Sequence, residues 1–181
     1  MALYLGNKGI EDLYLGADRV AEMYLGASLI YSGSGKEIFK DGVLMDGVRL
    51  TNIAKNASNE LQCDIYGGMG SGPFDRSINA SIRFDMTRFN KITIKGQTFC
   101  YGYDQNDFTR KIGLDTASII LPRGYRGGWG TDGAPANFTQ VLNVATVTGQ
   151  HNIALFVRCW NKSDYYPGCS AVRITEIIGE R

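Results

Sequence analysis

Between residues 36 and 181 apolar side chains come in short runs that alternate with polar ones and are divided by Gly, Asn and Asp, and no window holds a capped helical period. That pattern confines the segment to strands. In 152–160, Ile153, Leu155, Val157 and Cys159 fall on one face and Ala154, Phe156, Arg158 and Trp160 on the other, because successive side chains of a strand point to opposite sides. Val172, Ile174 and Ile178 alternate with Arg173 and Thr175 in the same way. Strands are expected at 42–50, 61–66, 78–84, 91–95, 98–103, 112–121, 141–147, 152–160 and 171–178. Eight or nine strands in a segment of this length fit an antiparallel β-sandwich, and without crossover helices a parallel sheet is excluded. Composition agrees: no Glu stands between Glu60 and Glu176, although Glu is among the best surface helix formers, and the 23 glycines read as turns.

The first 35 residues differ. Leu3-Tyr4-Leu5-Gly6, Leu13-Tyr14-Leu15-Gly16 and Met23-Tyr24-Leu25-Gly26 recur at a period of ten, with Ile10, Val20 and Ile30 in register. Each unit reads as a strand ending in a Gly turn, which makes a small β-meander with the leucines on one face and a ladder of Tyr4, Tyr14 and Tyr24 on the other. A sheet this small cannot cover two apolar faces by itself, so residues 1–31 are expected either to dock on the chain's own sandwich or to associate with other copies. Ser32-Gly33-Ser34-Gly35 is a flexible joint, which places the division at 1–35 and 36–181.

With 19 basic and 18 acidic side chains, the net charge of +1 provides no field to draw in nucleic acid or anionic lipid. Glu11, Asp12 and Asp18 interrupt the start of the chain and no apolar run is long enough to span a bilayer, so no signal peptide, no membrane insertion and synthesis in the cytoplasm are expected. The Asn-x-Ser/Thr triplets at Asn56, Asn79, Asn137 and Asn161 are therefore not read as glycosylation sites. Cys63, Cys100, Cys159 and Cys169 lack Cys-x-x-Cys spacing and His151 is the single histidine, so neither a metal site nor a cofactor is expected, and the thiols read as buried and reduced.

Chemistry is sparse. His151 lies in the polar turn Gly149-Gln150-His151-Asn152, which suits a turn better than a nucleophile's base. A glycosidase would have to draw its carboxylate pair from Asp64, Asp75, Asp85, Asp104, Asp107, Asp115, Asp132 and Asp164, most of them in turn contexts. Gly67-Gly68-Met69-Gly70-Ser71-Gly72-Pro73 lacks the Lys-Ser/Thr of a phosphate loop, and Asp104-Gln105-Asn106-Asp107 lacks the ligand order of a calcium loop. The stronger candidates are two aromatic loops. Arg123, Tyr125, Arg126, Trp129 and Asp132 lie in a segment too Gly-rich for a strand interior, where rings could serve as sugar platforms and charged groups could bond hydroxyls. Rim packing accounts for Tyr125 and Trp129 equally well. The loop from Trp160 to Tyr166 has a similar composition, but Trp160 itself reads as a packing residue.

The Tyr-Leu-Gly repeat running into Leu29-Ile30-Tyr31-Ser32 resembles the N-terminal segments of small tail-associated structural proteins of bacteriophages and prophages. The later pattern is similar to their C-terminal jelly-roll domains, which resemble carbohydrate-binding modules. Two stretches carry that likeness: Phe84-Asp85-Met86-Thr87-Arg88-Phe89-Asn90-Lys91-Ile92, and Leu142-Asn143-Val144-Ala145 followed by Gly149 and Asn152-Ile153-Ala154-Leu155. Asn143, Ala145 and Asn152 stand where the family pattern has Asp, Ser and an aromatic residue. The resemblance implies an all-β chain, a repeat meander followed by a jelly-roll sandwich. It also implies a non-enzymatic virion tail or fibre protein that forms a homo-oligomer, as trimeric fibres do, and binds a surface glycan or other tail proteins. A glycan-degrading tail enzyme and a ligand-free connector are the alternatives.

Overall fold

The computed structural model describes residues 35–67, 74–101, 107–124, 134–161 and 168–180, the side chains of 67, 101, 107, 161 and 168 excepted, together with the backbone of six short strands before residue 33. Those six strands are β1 (Tyr4–Leu5), β2 (Lys8–Gly9), β3 (Leu13–Leu15), β4 (Asp18–Val20), β5 (Glu22–Leu25) and β6 (Ser28–Ser32). They pair only two by two, β1 with β2, β3 with β4 and β5 with β6. Each ten-residue unit is therefore a hairpin of its own, where the repeat suggested one strand per unit in a continuous meander. The reason is local: Leu5 opposes Lys8, Leu15 opposes Asp18 and Leu25 opposes Ser28, so the second half of every unit pairs back on its first as a strand. Gly6, Gly16 and Gly26, and the side chains of the expected tyrosine ladder, lie outside the described residues.

Twelve strands follow: β7 (Lys36–Lys40), β8 (Val43–Leu44), β9 (Arg49–Thr51), β10 (Ala54–Lys55), β11 (Leu61–Gly67), β12 (Phe74–Asp85), β13 (Lys91–Tyr101), β14 (Asp107–Leu114), β15 (Ile119–Ile120), β16 (Ala136–Asn143), β17 (Gln150–Asn161) and β18 (Gly168–Glu180). They form two antiparallel sheets. One runs β10-β11-β18-β13-β16, with β7 pairing the far half of β18 beyond β11, and β8 pairing β7; the other runs β15-β14-β17-β12-β9. Among the described residues there is no helix long and apolar enough to cross a membrane.

One core fills the space between the sheets. Ile153, Leu155, Val157 and Cys159 of β17 are buried, as are Ile82 and Phe84 of β12 and Ile112 of β14, and they meet Ile92, Ile94, Val172 and Ile174 of the other sheet. Burial of this kind, worth about 25 cal/mol per Å² of apolar surface, is what joins the two layers. The inward register of β18 changes part-way along. Lys95 opposes Glu176 but Gly96 opposes Ile174, which leaves Thr175 as an extra residue. Past this bulge Ile177 turns inward and is fully buried, whereas Ile178, expected on the inner face, is only partly buried. Gly96 also explains why one strand, β13, reads as two in the sequence: a Cβ there would strike the carbonyl oxygen of Arg173 and the ring of Phe138.

The motifs behind the jelly-roll resemblance interlock at one end of the sandwich. Asp85 Oδ1 accepts from the Thr87 N–H at 2.9 Å and its hydroxyl at 2.6 Å, and the same hydroxyl accepts from the Gly149 N–H at 2.8 Å. Met86 N–H donates to the Gly149 carbonyl at 2.9 Å, and Gly149 holds φ +88°. Asn143 Oδ1 accepts from the Ala145 N–H at 3.1 Å, so Asn caps this turn although the family pattern has Asp.

Candidate functional site

The described strand ends that flank the loops singled out in the sequence lie at the opposite end of the sandwich. Gly67 opposes Gly168 and Tyr101 opposes Cys169 in one sheet, while Phe74 opposes Asn161 and Asp107 opposes Trp160 in the other. The segments 68–73, 102–106 and 162–167 therefore all leave from this end. Gly124, the last described residue before 125–133, is at the same end, where its carbonyl accepts a hydrogen bond from the Cys100 N–H at 2.8 Å.

Of the five residues expected to bind a ligand, Arg123 is described: it is exposed, with its guanidinium carbon 5.9 Å from the centroid of the Phe108 ring. Tyr125, Arg126, Trp129 and Asp132 lie outside the described residues. The root of their loop is fixed by Thr98, whose buried hydroxyl donates to the Pro122 carbonyl at 2.5 Å, and by Gly124, buried against Thr98 and Ala136.

Beneath this end lies a buried polar layer that the sequence did not suggest. Arg110, 2 % exposed, points inward from β14 and donates to Ser170 Oγ at 3.2 Å and the Phe99 carbonyl at 3.4 Å. All four cysteines are buried and free. Burial pushes the Cys159 thiol up to about 12 and Cys169 up to about 11. Burial likewise raises Cys100, opposed by the nearby Arg110 and Arg123 guanidiniums. Thiols held protonated in this way are weak nucleophiles and weak metal ligands. Among the described residues no group of three or more His, Cys, Asp and Glu is disposed to hold a metal ion.

Three of the nominated carboxylates, Asp75, Asp85 and Asp115, serve structural partners. Asp75 takes two hydrogen bonds from Arg158, at 2.8 and 2.7 Å, and these hold its carboxyl below the usual range. Asp85 serves Thr87. Asp115 accepts from the Asn152 N–H at 2.9 Å and faces His151 Nδ1 at 2.8 Å, while His151 Nε2 lies 3.1 Å from the Thr148 carbonyl. Both ring nitrogens of His151 thus meet acceptors, which favours the protonated ring and raises its pKa.

Trp160 reads as a packing residue in the sequence, yet it is 37 % exposed and stands on the outer face with Asp75, its opposite residue. A scan of protein-family models and a search of curated proteins both find no match to this chain.

Proposed function

We propose that the chain is a non-enzymatic structural protein of a bacteriophage or prophage tail, located in the virion after synthesis in the bacterial cytoplasm. Its sandwich binds a cell-surface glycan or a neighbouring tail protein through the loop-bearing end. The observation that carries this reading is that the described strand ends flanking the segments 68–73, 102–106 and 162–167, together with Gly124, lie at a single end of the two-sheet scaffold, and connections at the end of a β-sandwich are where such folds usually carry recognition. Strand order supports the finer assignment of a jelly roll. Numbering β11 to β18 from one to eight, the sheets read 1-8-3-6 and 2-7-4-5, as two Greek keys wound together do. The engagement of Asp75, Asp85 and Asp115 as structural acceptors favours binding over hydrolysis.

The three hairpins act as the assembly segment, giving a homo-oligomer that we propose is a trimer. A glycan array tests the binding half: Tyr125→Ala/Trp129→Ala loses signals the parent shows, and equal binding by the two removes the loop from the site. Sedimentation of the full chain at tens of micromolar tests the assembly half, with Tyr4, Tyr14 and Tyr24 replaced by Ser as the comparison. A monomeric parent refutes it.

A further inference from the structure

No strand of the β15-β14-β17-β12-β9 sheet contains a glutamate, and the two outer faces differ accordingly. On the other sheet, cations meet glutamates: Lys91 with Glu180 at 2.7 Å, Lys95 with Glu176 at 2.6 Å and Lys40 with Glu37 at 2.9 Å. On the glutamate-free sheet Arg49 and Arg83 are direct cross-strand partners, both exposed, in the row next to the inward-facing Leu50 and Ile82 pair. Opposed residues of an antiparallel pair hold their Cβ atoms about 5 Å apart, so the two guanidiniums share one patch. Among the described residues neither has a carboxylate within ion-pair distance, since Asp85 serves Thr87 and Asp115 serves His151 and Asn152. Like charges placed opposite each other destabilise a sheet, and a bound anion relieves that cost.

The same face continues as a strip. The Trp160 and Phe156 positions on β17 lie about 13 Å apart, with Arg158 between them held by Asp75 and with Asn79 and Ser81 beside them on β12. From the Asp75 row to the Arg83 row the strip runs about 27 Å, the reach of an extended chain and more than any single ion needs. Rings for sugar faces, amides and hydroxyls for sugar hydroxyls, and a paired guanidinium clamp form one surface.

We propose that this face binds an acidic polysaccharide, its carboxylates taken by Arg49 and Arg83 and its sugar rings lying along Phe156 and Trp160. This goes beyond the glycan-binding reading of the loop-bearing end, because it names a class of glycan and puts it on a second surface separate from the loop residues Tyr125 and Trp129. Calorimetric titration of the full chain with polygalacturonate oligomers, neutral dextran and single-stranded DNA tests it. The parent binds polygalacturonate over dextran and DNA, and Arg49→Gln/Arg83→Gln weakens that binding by about tenfold or more. Arg49→Glu gives Arg83 a cross-strand ion partner, so this variant keeps or raises the melting temperature while losing the polygalacturonate. Tyr125→Ala/Trp129→Ala retains it. Absent or DNA-preferring binding, unchanged affinity in both arginine variants, or loss confined to the Tyr125/Trp129 variant overturns the proposal. That last result leaves the loop reading standing.

Discussion

Gly124→Ala separates two ways in which a glycine can be required. The backbone of Gly124 is not in the left-handed region, and its constraint is space: a Cβ would fall on the Thr98 carbonyl oxygen and the Ala136 nitrogen, both backbone atoms. Thr98 and Ala136 are the last paired residues of the β13–β16 ladder, so neither can retreat without opening it. Relief must come from displacing Gly124, at the expense of the Cys100 N–H bond at 2.8 Å and the Thr98 hydroxyl bond to Pro122 at 2.5 Å. Two neutral hydrogen bonds at about 1 kcal/mol each, plus residual strain, give a loss of about 2–3 kcal/mol. At about 2–4 °C per kcal/mol for a chain of this size, the melting temperature falls by about 5–10 °C. Gly47→Ala is the control: nothing lies within 4 Å of its Cβ, but φ is +82°, so about 1 kcal/mol is lost through the dihedral alone. Urea unfolding followed by tryptophan fluorescence measures both, and hydrogen exchange at the Cys100 amide reports whether the loop root has moved. A Gly124→Ala variant within 0.5 kcal/mol of the parent, with the Cys100 amide still protected, would falsify the steric argument.

Four further outcomes follow from the geometry. The hydrogen bond to Asp115 raises the His151 pKa, so His151 contributes stability that is complete below about pH 6.5 and fades as pH climbs through the raised value; the melting temperature of the parent declines over that window and that of His151→Gln does not, and identical slopes would remove the imidazolium assignment. At the acid end Asp115 acts in the opposite sense: desolvation raises its pKa, but the Asn152 and His151 bonds outweigh it, so its contribution is lost as pH falls below the usual carboxylate range. Burial holds Cys63 and Cys159 at about 12, so iodoacetamide labels no described thiol of the native chain and all four after unfolding, and rapid native labelling contradicts this. The bulge at Thr175 makes Ile177→Ala cost about 3 kcal/mol and Ile178→Ala about 1, and equal losses in denaturant titrations mean the register does not shift there.

Alternation made much of the sandwich legible. The inward set of β17 was correct residue for residue, because nothing interrupts its period of two. Legibility failed where the chain departs from that period. The run expected at 42–50 divides into β8 and β9 around a turn with Gly47 at φ +82°, and β16 starts at Ala136, ahead of the strand expected at 141–147. The bulge in β18 is invisible because the side chain at Thr175 is ordinary, and the hairpins of the repeat were missed because their return strands look like turn residues. Among the nominated site residues, Arg123 is the one within the described residues, exposed with its guanidinium over the Phe108 ring. The Arg49–Arg83 pair had half a signal, an arginine flanked by Ile82 and Phe84, but its meaning depends on a ladder between strands far apart in the sequence. Trp160 stands on the face that the alternation of β17 gives it, but how far it is exposed there depends on which neighbours the other strands bring.

The position of β18 has a consequence for how the molecule is made. Of the described strands it leaves the ribosome after all the others, yet it lies between β11 and β13 and also carries β7 along its far half. Until it emerges, those strands present unsatisfied edges, so the sandwich cannot close progressively during translation and folds only once residues 168–180 are free. A nascent chain stalled before Gly168 is therefore a chaperone client, and truncation there leaves a sticky half-sheet in place of a shortened domain.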